Sequence, residues 1–359
     1  MRIAVLAHLH HPIASPFAGG MESHTAHLVA GLVARGHEVT LFAKEGSAVD
    51  CNVVPVLEAG FVVRGYPDDK SRDKQHHLLD DAMRRAVQGV ATGSFDAVVN
   101  NSLSPIPHRE AMQLPTLHIL HTPPLPRVIE VLEDPARAVD PLGRFATVSA
   151  ANAQPWSEWL PDIAIIHNGI DLAQWGGQQE VLPGTAAWTG RITPEKGTHV
   201  AIAAARTVGL KLQLAGPIQD LEYFRTLIEP ELDDDIRYLG HLNQQQLQSM
   251  IGSAEVFISA PLWEEPFGLT TLEAMACGTP VATLPSGAMA ELVGVTGGVV
   301  ARDKSSGALA QAASQAKDLD RAAVLERAGN FTHDAMIEGY ELVLRSMMQQ
   351  PLSFAVDNS

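Results

Sequence analysis

Three shortages in this sequence exclude whole classes of protein. Cys51 and Cys277 are the only cysteines in 359 residues, so the chain has neither a disulfide framework nor a metal-binding cysteine spacing. Lys and Arg number 25 against 41 Asp and Glu, and the formal charge of −16 argues against a nucleic-acid partner held by general phosphate attraction. No apolar run approaches the length of a membrane-spanning helix.

Signals for export and for the commonest nucleotide sites are missing too. The first six residues lead directly into a strand-like run without the apolar region and cleavage site of a signal peptide, which predicts a cytoplasmic protein. The first strand is not followed by Gly-x-Gly-x-x-Gly, and no phosphate-binding loop ending in Gly-Lys-Ser/Thr occurs. NAD-linked and ATP-hydrolysing functions therefore lose their strongest sequence support.

One segment leaves a membrane contact open. Between Lys70 and Arg85, basic residues are interleaved with Leu78, Leu79 and Met83, a pattern that can touch a bilayer surface. Aspartates dilute this positive charge, and a solvated helix face explains the same pattern more simply.

The chain has enough apolar sequence for two cores. Hydrophobic residues make up 46% and charged residues 18%, and 359 residues exceed one ordinary core. Strand-like runs alternate with helical patterns, which indicates a doubly wound α/β class. The predicted division is a first domain at 1–167, a linker at 168–184 and a second domain at 185–333. A C-terminal helix at about 334–350, with Thr332 as its N-cap, can pack on either domain.

The periodicity of apolar residues and the local composition predict the individual strands and helices. The predicted strands are 2–7, 37–43, 95–99, 116–120, 144–148 and 163–167, then 186–189, 210–215, 236–239, 256–259 and 280–283. The predicted helices are 22–34, 198–207, 244–251, 270–276 and 334–348.

The most informative segment is Glu265-Pro-Phe-Gly-Leu-Thr-Thr-Leu-Glu273, which follows an apolar strand. A strand, a Pro/Gly turn and a helix place a helix N-terminus between the two carboxylates. Carboxylates accept hydrogen bonds from vicinal hydroxyl groups, and the N–H groups at the helix start can hold phosphate. Glu273 also fits a residue that only complements the helix dipole. The whole segment predicts a site for a charged, hydroxyl-rich molecule.

Two further loops join a strand to a helix. Gly19 and Gly20 allow close backbone approach to an anion at a helix start, although an ordinary connecting loop is the alternative. After the strand ending at Thr189, Arg191 can fork two phosphate oxygens and Lys196 supplies a point charge, so the pair suits a diphosphate. A surface position with Lys196 near Glu195 is the competing interpretation, and the acidity of the chain favours a binding site.

Two patterns superficially resemble metal sites. Asp233-Asp-Asp235 lies between a helix and a strand, where a solvated loop is the simpler explanation. His8, His10 and His11 follow the first strand, where a loop role or an acceptor contact is favoured over metal binding. We therefore predict no metal site.

In combination, these motifs resemble the GT4 family of retaining glycosyltransferases. The resemblance rests on Gly19-Gly20-Met-Glu22, His167-Asn-Gly-Ile-Asp171, the segment 190–197 and the segment 265–280, in this order through nearly the whole chain. It implies a GT-B fold, in which two Rossmann-like domains face a cleft. The acceptor would lie mainly on the first domain and a nucleotide sugar mainly on the second.

The resemblance also implies a role for each site residue. Arg191 and Lys196 would hold the diphosphate, Glu265 the transferred sugar, and His121 would contact that sugar near its anomeric carbon. On the sequence alone, a strand-end histidine such as His121 is more often structural. The remaining donor contacts would be Gly19 and Gly20 at the diphosphate, the backbone of Phe267, Gly268, Leu269 and Thr270 at the sugar and phosphate, Glu273 at the ribose, and His241 and Leu242 at the base.

The implied reaction moves a sugar from a nucleotide-diphosphate sugar, UDP-linked by preference, to a small-molecule or glycan acceptor by front-face substitution. Arg191, Lys196 and helix N-termini would stabilise the leaving diphosphate, so no metal or other cofactor is expected. One alternative is a catalytically idle nucleotide-sugar-binding protein, against which the intact charged residues speak. Another is a different GT-B enzyme, such as a sugar-nucleotide epimerase or a phosphorylase, although no pyridoxal-binding lysine context is recognisable.

Overall fold

The computed structural model of the chain describes residues 1–62, 69–110, 113–134, 143–177 and 179–349, the side chains of 69–71 excepted. These ranges contain two parallel β-sheets, one of seven strands and one of six. No helix within them is long and apolar enough to cross a membrane. The two sheets confirm the predicted α/β class with two Rossmann-like units.

The first sheet is formed by the first half of the chain. Its strands are β1 Arg2–Ala7, β2 Glu38–Lys44, β3 Asn52–Leu57, β4 Ala97–Asn101, β5 Thr116–Leu120, β6 Gly143–Thr147 and β7 Ala164–Ile165. Their order is β3-β2-β1-β4-β5-β6-β7, so the direction of winding reverses between β1 and β4. A crevice opens at the carboxyl ends of the strands at such a reversal.

Helices cover both faces of this sheet. They are α1 Gly20–Ala34, α2 Asp69–Thr92, α3 Ile106–Arg109, α4 Pro126–Leu132 and α5 Ala150–Trp156. Because strands such as β1 are buried on both faces, their sequences are continuous apolar runs rather than alternating ones.

The second sheet repeats the same winding. Its strands are β8 Leu182–Thr189, β9 Lys211–Ala215, β10 Ile236–Tyr238, β11 Ala254–Ser259, β12 Val281–Thr283 and β13 Gly298–Val300. Their order is β10-β9-β8-β11-β12-β13, with the reversal between β8 and β11. The helices are α6 Leu172–Trp175, α7 Thr198–Thr207, α8 Leu221–Tyr223, α9 Gln244–Ser253, α10 Leu269–Ala276, α11 Met289–Val293, α12 Ser306–Ala316 and α13 Arg321–Ala328.

The last helix, α14 His333–Gln349, returns to the first sheet. The Thr332 hydroxyl accepts a hydrogen bond from the Ala335 amide at 3.2 Å, as an N-cap residue does. The apolar face of α14 enters the core of the first half, where Ile337 packs closely against Gly31 of α1. Of the two packing alternatives left open by the sequence, the structure adopts this one. Position 350 lies outside the described residues.

The chain crosses between the halves at two adjacent segments. Ile170 donates its amide hydrogen to Phe331 at 2.9 Å and accepts one from His333 at 3.0 Å. Gly169 lies so close to the Thr332 carbonyl that a side chain there would collide with it. The two crossing segments are thus hydrogen-bonded to each other.

The structure adds elements that the sequence patterns did not predict. Strand β3 is a partly exposed edge strand containing Pro55, and β13 is only three residues long, so neither has a strong apolar run. Helix α1 begins at Gly20, two residues before its predicted start. Strand β8 begins at Leu182, inside the segment predicted as a linker.

The basic segment from Lys70 to Arg85 forms part of α2. Met83 is buried in the core, Arg84 pairs with Asp81 at 2.8 Å, and Arg85 donates to the Val56 carbonyl at 2.8 Å. Leu78 remains exposed. Met83 and Arg85 therefore face the protein, whereas the pair of Arg84 with Asp81 is exposed on the helix itself. The side chain of Lys70 and all of Asp68 lie outside the described residues.

Candidate active site

A cleft of about 540 Å³ lies between the two sheets. Its walls are built from residues that directly follow strands, His8 after β1, His121 after β5 and Gly216 after β9. The carboxyl ends of strands from both sheets therefore face the same space, as expected for doubly wound units.

Every residue predicted for the site lies on this cleft. They are His121, Glu265, Arg191, Lys196, Gly19, Gly20, His241, Leu242, Phe267, Gly268, Leu269, Thr270 and Glu273. The structure thus brings together His121, which directly follows β5, residues at the starts of α1, α7 and α9, and residues of α10 and the loop before it. Their individual roles stay predictions.

Lys196 and Glu265 form the central ion pair of the cleft. Lys196 Nζ donates to Glu265 Oε2 at 2.6 Å, and Trp263 Nε1 donates to the same oxygen at 2.9 Å. The ammonium group also lies 5.1 Å from the centre of the Trp263 ring, a cation–π distance. Lys196 is therefore held by Glu265 and Trp263, not by Glu195, the partner considered from the sequence. Among the described residues nothing donates to Glu265 Oε1.

Arg191 stands beside this pair with looser contacts. Its Nη1 donates to Gln219 Oε1 at 3.0 Å, and its Nη2 lies 3.9 Å from the Glu195 carboxylate. The Arg191 side chain approaches the loop before α1 from the other side of the cleft. A Cβ atom placed on Gly19 of that loop would lie 3.9 Å from the Arg191 side chain. Burial raises the pKa of nearby Glu22, an effect that its own amide and the charge of Arg191 oppose.

The starts of α1 and α10 approach each other across the cleft. A Cβ on Gly20 would stand 3.1 Å from Leu269 Cδ1. In the described residues, no N-cap side chain caps either helix. The first-turn N–H groups are therefore available to a ligand, except the Glu22 amide in α1, which bonds its own carboxylate. Gly268 precedes α10 with φ at 96°, a left-handed conformation that favours glycine. Both helix dipoles thus favour an anion in this cleft.

Glu273 lies in α10 with its carboxylate toward the cleft. Burial raises its pKa to about 8, and no hydrogen bond reaches it from a side chain in the described ranges. A buried carboxylate without a partner is costly, and hydroxyl groups of a ligand relieve that cost.

His121 is buried and neutral. Burial lowers its pKa to about 4, and its Nε2 lies 2.6 Å from Asn101 Oδ1. Behind it, Asn101 contacts Thr25 at 2.8 Å, and His24 contacts Tyr340 of α14 at 3.2 Å. The C-terminal helix therefore reaches the hydrogen-bond network beneath the cleft.

The predicted base region has an apolar floor. Leu242 and Leu247 line the cleft together with Trp175, which follows the crossing segment, and with Ala215 at the end of β9. Flat apolar surfaces of this kind suit the face of a base.

A second set of contacts joins the halves next to the cleft. Ser149 donates to the Pro266 carbonyl at 2.6 Å. Glu291 of α11 accepts from His167 at 2.7 Å and from the amides of Ala150 and Ala151. Burial raises the pKa of Glu291, but these hydrogen bonds outweigh burial and hold the pKa below its ordinary value.

The two metal-like patterns have different surroundings. Asp233 accepts hydrogen bonds from the amides of Asp235 and Ile236 and pairs with Arg206 at 2.9 Å, so it closes a loop. His8, His10 and His11 do line the cleft, and the rings of His8 and His10 lie 4.1 Å apart. Within the described part of the chain, no group of three or more His, Cys, Asp or Glu side chains is arranged to hold a metal ion.

Sequence reasoning missed three contributors to this region. Trp263, two residues before Glu265, was an aromatic signal beside the motif. Asn101 ends an apolar strand, a position where polar residues face a crevice. Glu291 carried no local signal, because its partners are more than a hundred residues away in the chain.

Known proteins share this organisation. Residues 18–174 match the model of the family described as Glycosyltransferase Family 4, and residues 183–318 match that of Glycosyl transferases group 1. A D-inositol 3-phosphate glycosyltransferase of Mycolicibacterium smegmatis is 27% identical over 401 aligned positions, which cover 94% of this chain and 90% of the relative.

Solved structures share the fold. AviGT4, a glycosyltransferase involved in avilamycin A biosynthesis, superposes with a TM-score of 0.70 at 21% identity and covers 97% of this chain and 98% of its own. HepE of Anabaena, solved in complex with UDP-glucose, superposes with a TM-score of 0.75 at 16% identity and covers 96% and 100%. With its two sheets, its shared cleft and its two family matches, the chain belongs to family 4 of the glycosyltransferases and has the GT-B fold.

Proposed function

We propose that this glycosyltransferase transfers a sugar from a UDP-sugar to a hydroxyl-bearing acceptor, with retention at the anomeric carbon and without a metal ion. The observation that carries the proposal is the meeting of two cations with two uncapped helix starts on one cleft. Arg191 and Lys196 supply the charge, and α1 and α10 supply N–H groups, which together match a diphosphate.

The contacts of Lys196 favour a role in the chemical step. Glu265 and Trp263 hold its ammonium group in place before any ligand arrives. A preorganised charge stabilises the negative charge that develops on a leaving diphosphate, because no reorganisation is needed during the reaction. Glu265 Oε1 is left to accept a hydroxyl of the transferred sugar, and Glu273 to accept the ribose hydroxyls.

Retention follows in this proposal from attack on the leaving-group side. The bond from the anomeric carbon to the phosphate oxygen breaks as the bond to the acceptor oxygen forms, and the leaving phosphate takes the acceptor's proton. No carboxylate nucleophile is required. The Glu265 oxygen that faces Lys196 already accepts two hydrogen bonds, which disfavours it as a nucleophile.

The acceptor is proposed to bind beside His8 and His10, where the cleft wall is uncharged near neutral pH. We infer a small-molecule or glycan acceptor with several hydroxyl groups. The name of the M. smegmatis relative makes D-inositol 3-phosphate and free inositol the first acceptors to assay.

Thermal unfolding with UDP, GDP, ADP and a panel of UDP-sugars tests the donor. We expect UDP and one UDP-sugar to raise the Tm most; stabilisation by GDP or ADP alone would refute the UDP assignment. Turnover in excess EDTA tests metal independence, and the anomeric coupling in the product's NMR spectrum tests retention. Tight donor binding without transfer to any acceptor would favour the idle alternative.

A further inference from the structure

A chain of buried side chains fixes which nitrogen of His121 carries a proton. His121 Nε2 lies 2.6 Å from Asn101 Oδ1, and Asn101 Nδ2 lies 2.8 Å from Thr25 Oγ1 and 3.3 Å from His24 Nδ1. Asn101 is fully buried at the carboxyl end of β4. Its amide therefore has only these neighbours to satisfy its donors and its acceptor.

Thr25 decides the orientation of that amide. The Thr25 hydroxyl donates its proton to the Met21 carbonyl at 2.7 Å, so toward Asn101 it offers only lone pairs. Asn101 must consequently turn its NH₂ group toward Thr25 and its oxygen toward His121. Because an amide oxygen only accepts, the proton between Asn101 and His121 belongs to His121 Nε2.

The other nitrogen of His121 is then a lone-pair acceptor. Burial lowers the pKa of His121 to about 4, and the neighbouring rings of His8 and His24 carry lowered pKa values as well, so the imidazole is neutral near pH 7. A neutral imidazole has one N–H group, and that group already donates to the Asn101 oxygen. No described residue bonds to Nδ1, and the ring lines the cleft.

We propose that Asn101 is a positioning residue that holds His121 in the Nε2–H tautomer, so that Nδ1 accepts a hydrogen bond from a hydroxyl of the transferred sugar. The proposal rests on the donor site proposed above. It separates His121 from the leaving group, because phosphate oxygens are acceptors and Nδ1 has no proton to give them. His121 thus orients the sugar, and proton transfer to the diphosphate comes from the acceptor.

The tautomer is tested first on the ligand-free protein. Imidazole ¹⁵N NMR at pH 7, with His121 assigned by the signals lost in His121→Gln, should show a neutral ring protonated at Nε2. A ring protonated at Nδ1, or an imidazolium, overturns the proposal. This measurement needs no substrate, so its outcome does not depend on the proposed function.

Asn101→Asp is the informative variant. It keeps the shape of the side chain but replaces the NH₂ group by an oxygen and places a carboxylate against His121, which favours the imidazolium. Asn100→Asp is the matched control, a buried amide one residue away that contacts His108, His118 and Ser102 but not His121. Thermal unfolding shows whether each variant folds.

Calorimetric binding of UDP and of UDP-glucose, UDP-galactose and UDP-N-acetylglucosamine then tests the sugar contact. We expect Asn101→Asp to leave the Kd for UDP unchanged and to weaken the tightest UDP-sugar by about three- to tenfold. An imidazolium has no lone pair at Nδ1, so the sugar hydroxyl must turn from donor to acceptor and loses its preferred orientation. Asn100→Asp should change neither. Unaltered UDP-sugar binding with a changed His121 tautomer overturns the contact and leaves the donor site standing. If no UDP-sugar binds the wild type more tightly than UDP, the proposed contact between His121 Nδ1 and a sugar hydroxyl is refuted as well.

Discussion

The two walls of the cleft differ in charge. The wall from the first sheet presents imidazoles, and burial lowers the pKa of both His10 and His121 to about 4, so they are neutral near pH 7. The wall from the second sheet presents Arg191, Lys196 and Glu265. Glu22 is the acidic exception on the first wall, and burial raises its pKa. In the proposed function, the cations that stabilise the diphosphate therefore lie on the second wall, and the neutral first wall faces the acceptor.

Removing a cation from the charged wall should have the largest effect of the changes considered, and the effect should fall on turnover. Lys196→Ala is expected to lower kcat by about 10²–10³-fold, the usual loss for one transition-state donor, with a smaller change in KM. Steady-state kinetics with the best UDP-sugar measure both constants. Lys304→Ala is the control, because Lys304 pairs with Glu264 in the same half but does not line the cleft. Equal activity in both variants would remove Lys196 from the chemistry.

Removing Glu273, the carboxylate proposed to bind the ribose, should weaken binding more than turnover. Glu273→Ala is expected to raise the Kd for UDP by about 10–100-fold, since each of two ribose hydroxyls can make a hydrogen bond worth about 0.5–1.5 kcal/mol with this side chain. Isothermal titration calorimetry gives the value. Glu231→Ala, a surface acid of the same half that pairs with Arg206, should bind UDP normally. A wild-type Kd in Glu273→Ala would place the ribose elsewhere.

The same carboxylate predicts a pH-dependent stability. Because burial raises the pKa of Glu273 to about 8, the folded protein holds a proton that the unfolded chain releases near its ordinary pKa. Stability is therefore lost as pH rises from about 4.5 to 8, by at most about 1.4 kcal/mol per pH unit. Glu273→Gln removes the titration, so its Tm advantage over the wild type should grow across this range. A Tm difference that is constant with pH would contradict the raised pKa.

On the neutral wall, a substitution should barely affect the donor. His10→Gln is expected to change the Kd for UDP by less than about twofold, the range of substitutions away from a binding contact. Its effect should appear in the acceptor KM, measured with the best acceptor found. Weaker UDP binding in His10→Gln would show that both walls contribute to binding the diphosphate.

The sequence predicted what depends on local patterns. Arg191, Lys196, Glu265 and Glu273 lie in strand–turn–helix segments, and the positions of such segments in a doubly wound fold bring them to one cleft. The Lys196–Glu265 pair joins residues 69 apart in the chain, and this partnership follows only from the tertiary structure.

The second layer of the site was unpredictable for the same reason. Asn101, Thr25 and Tyr340 come from β4, α1 and α14. The contacts of Asn101 with His121 and Thr25, and of Tyr340 with His24, depend on how three elements pack. Edge strands such as β3 escaped prediction because partial exposure and proline weaken the apolar pattern.

The return of α14 to the first sheet limits how this enzyme can be recombined. A chimaera that exchanges the second half by a single crossover near residue 170 would also exchange α14. The first half would then receive a foreign helix against Gly31, in the core cluster that α14 shares with the first sheet. Two crossovers, near 170 and 332, keep each core with its own sequence and retain Tyr340 behind His24. The second half is thus an insertion in this chain, flanked on both sides by sequence that folds into the first half.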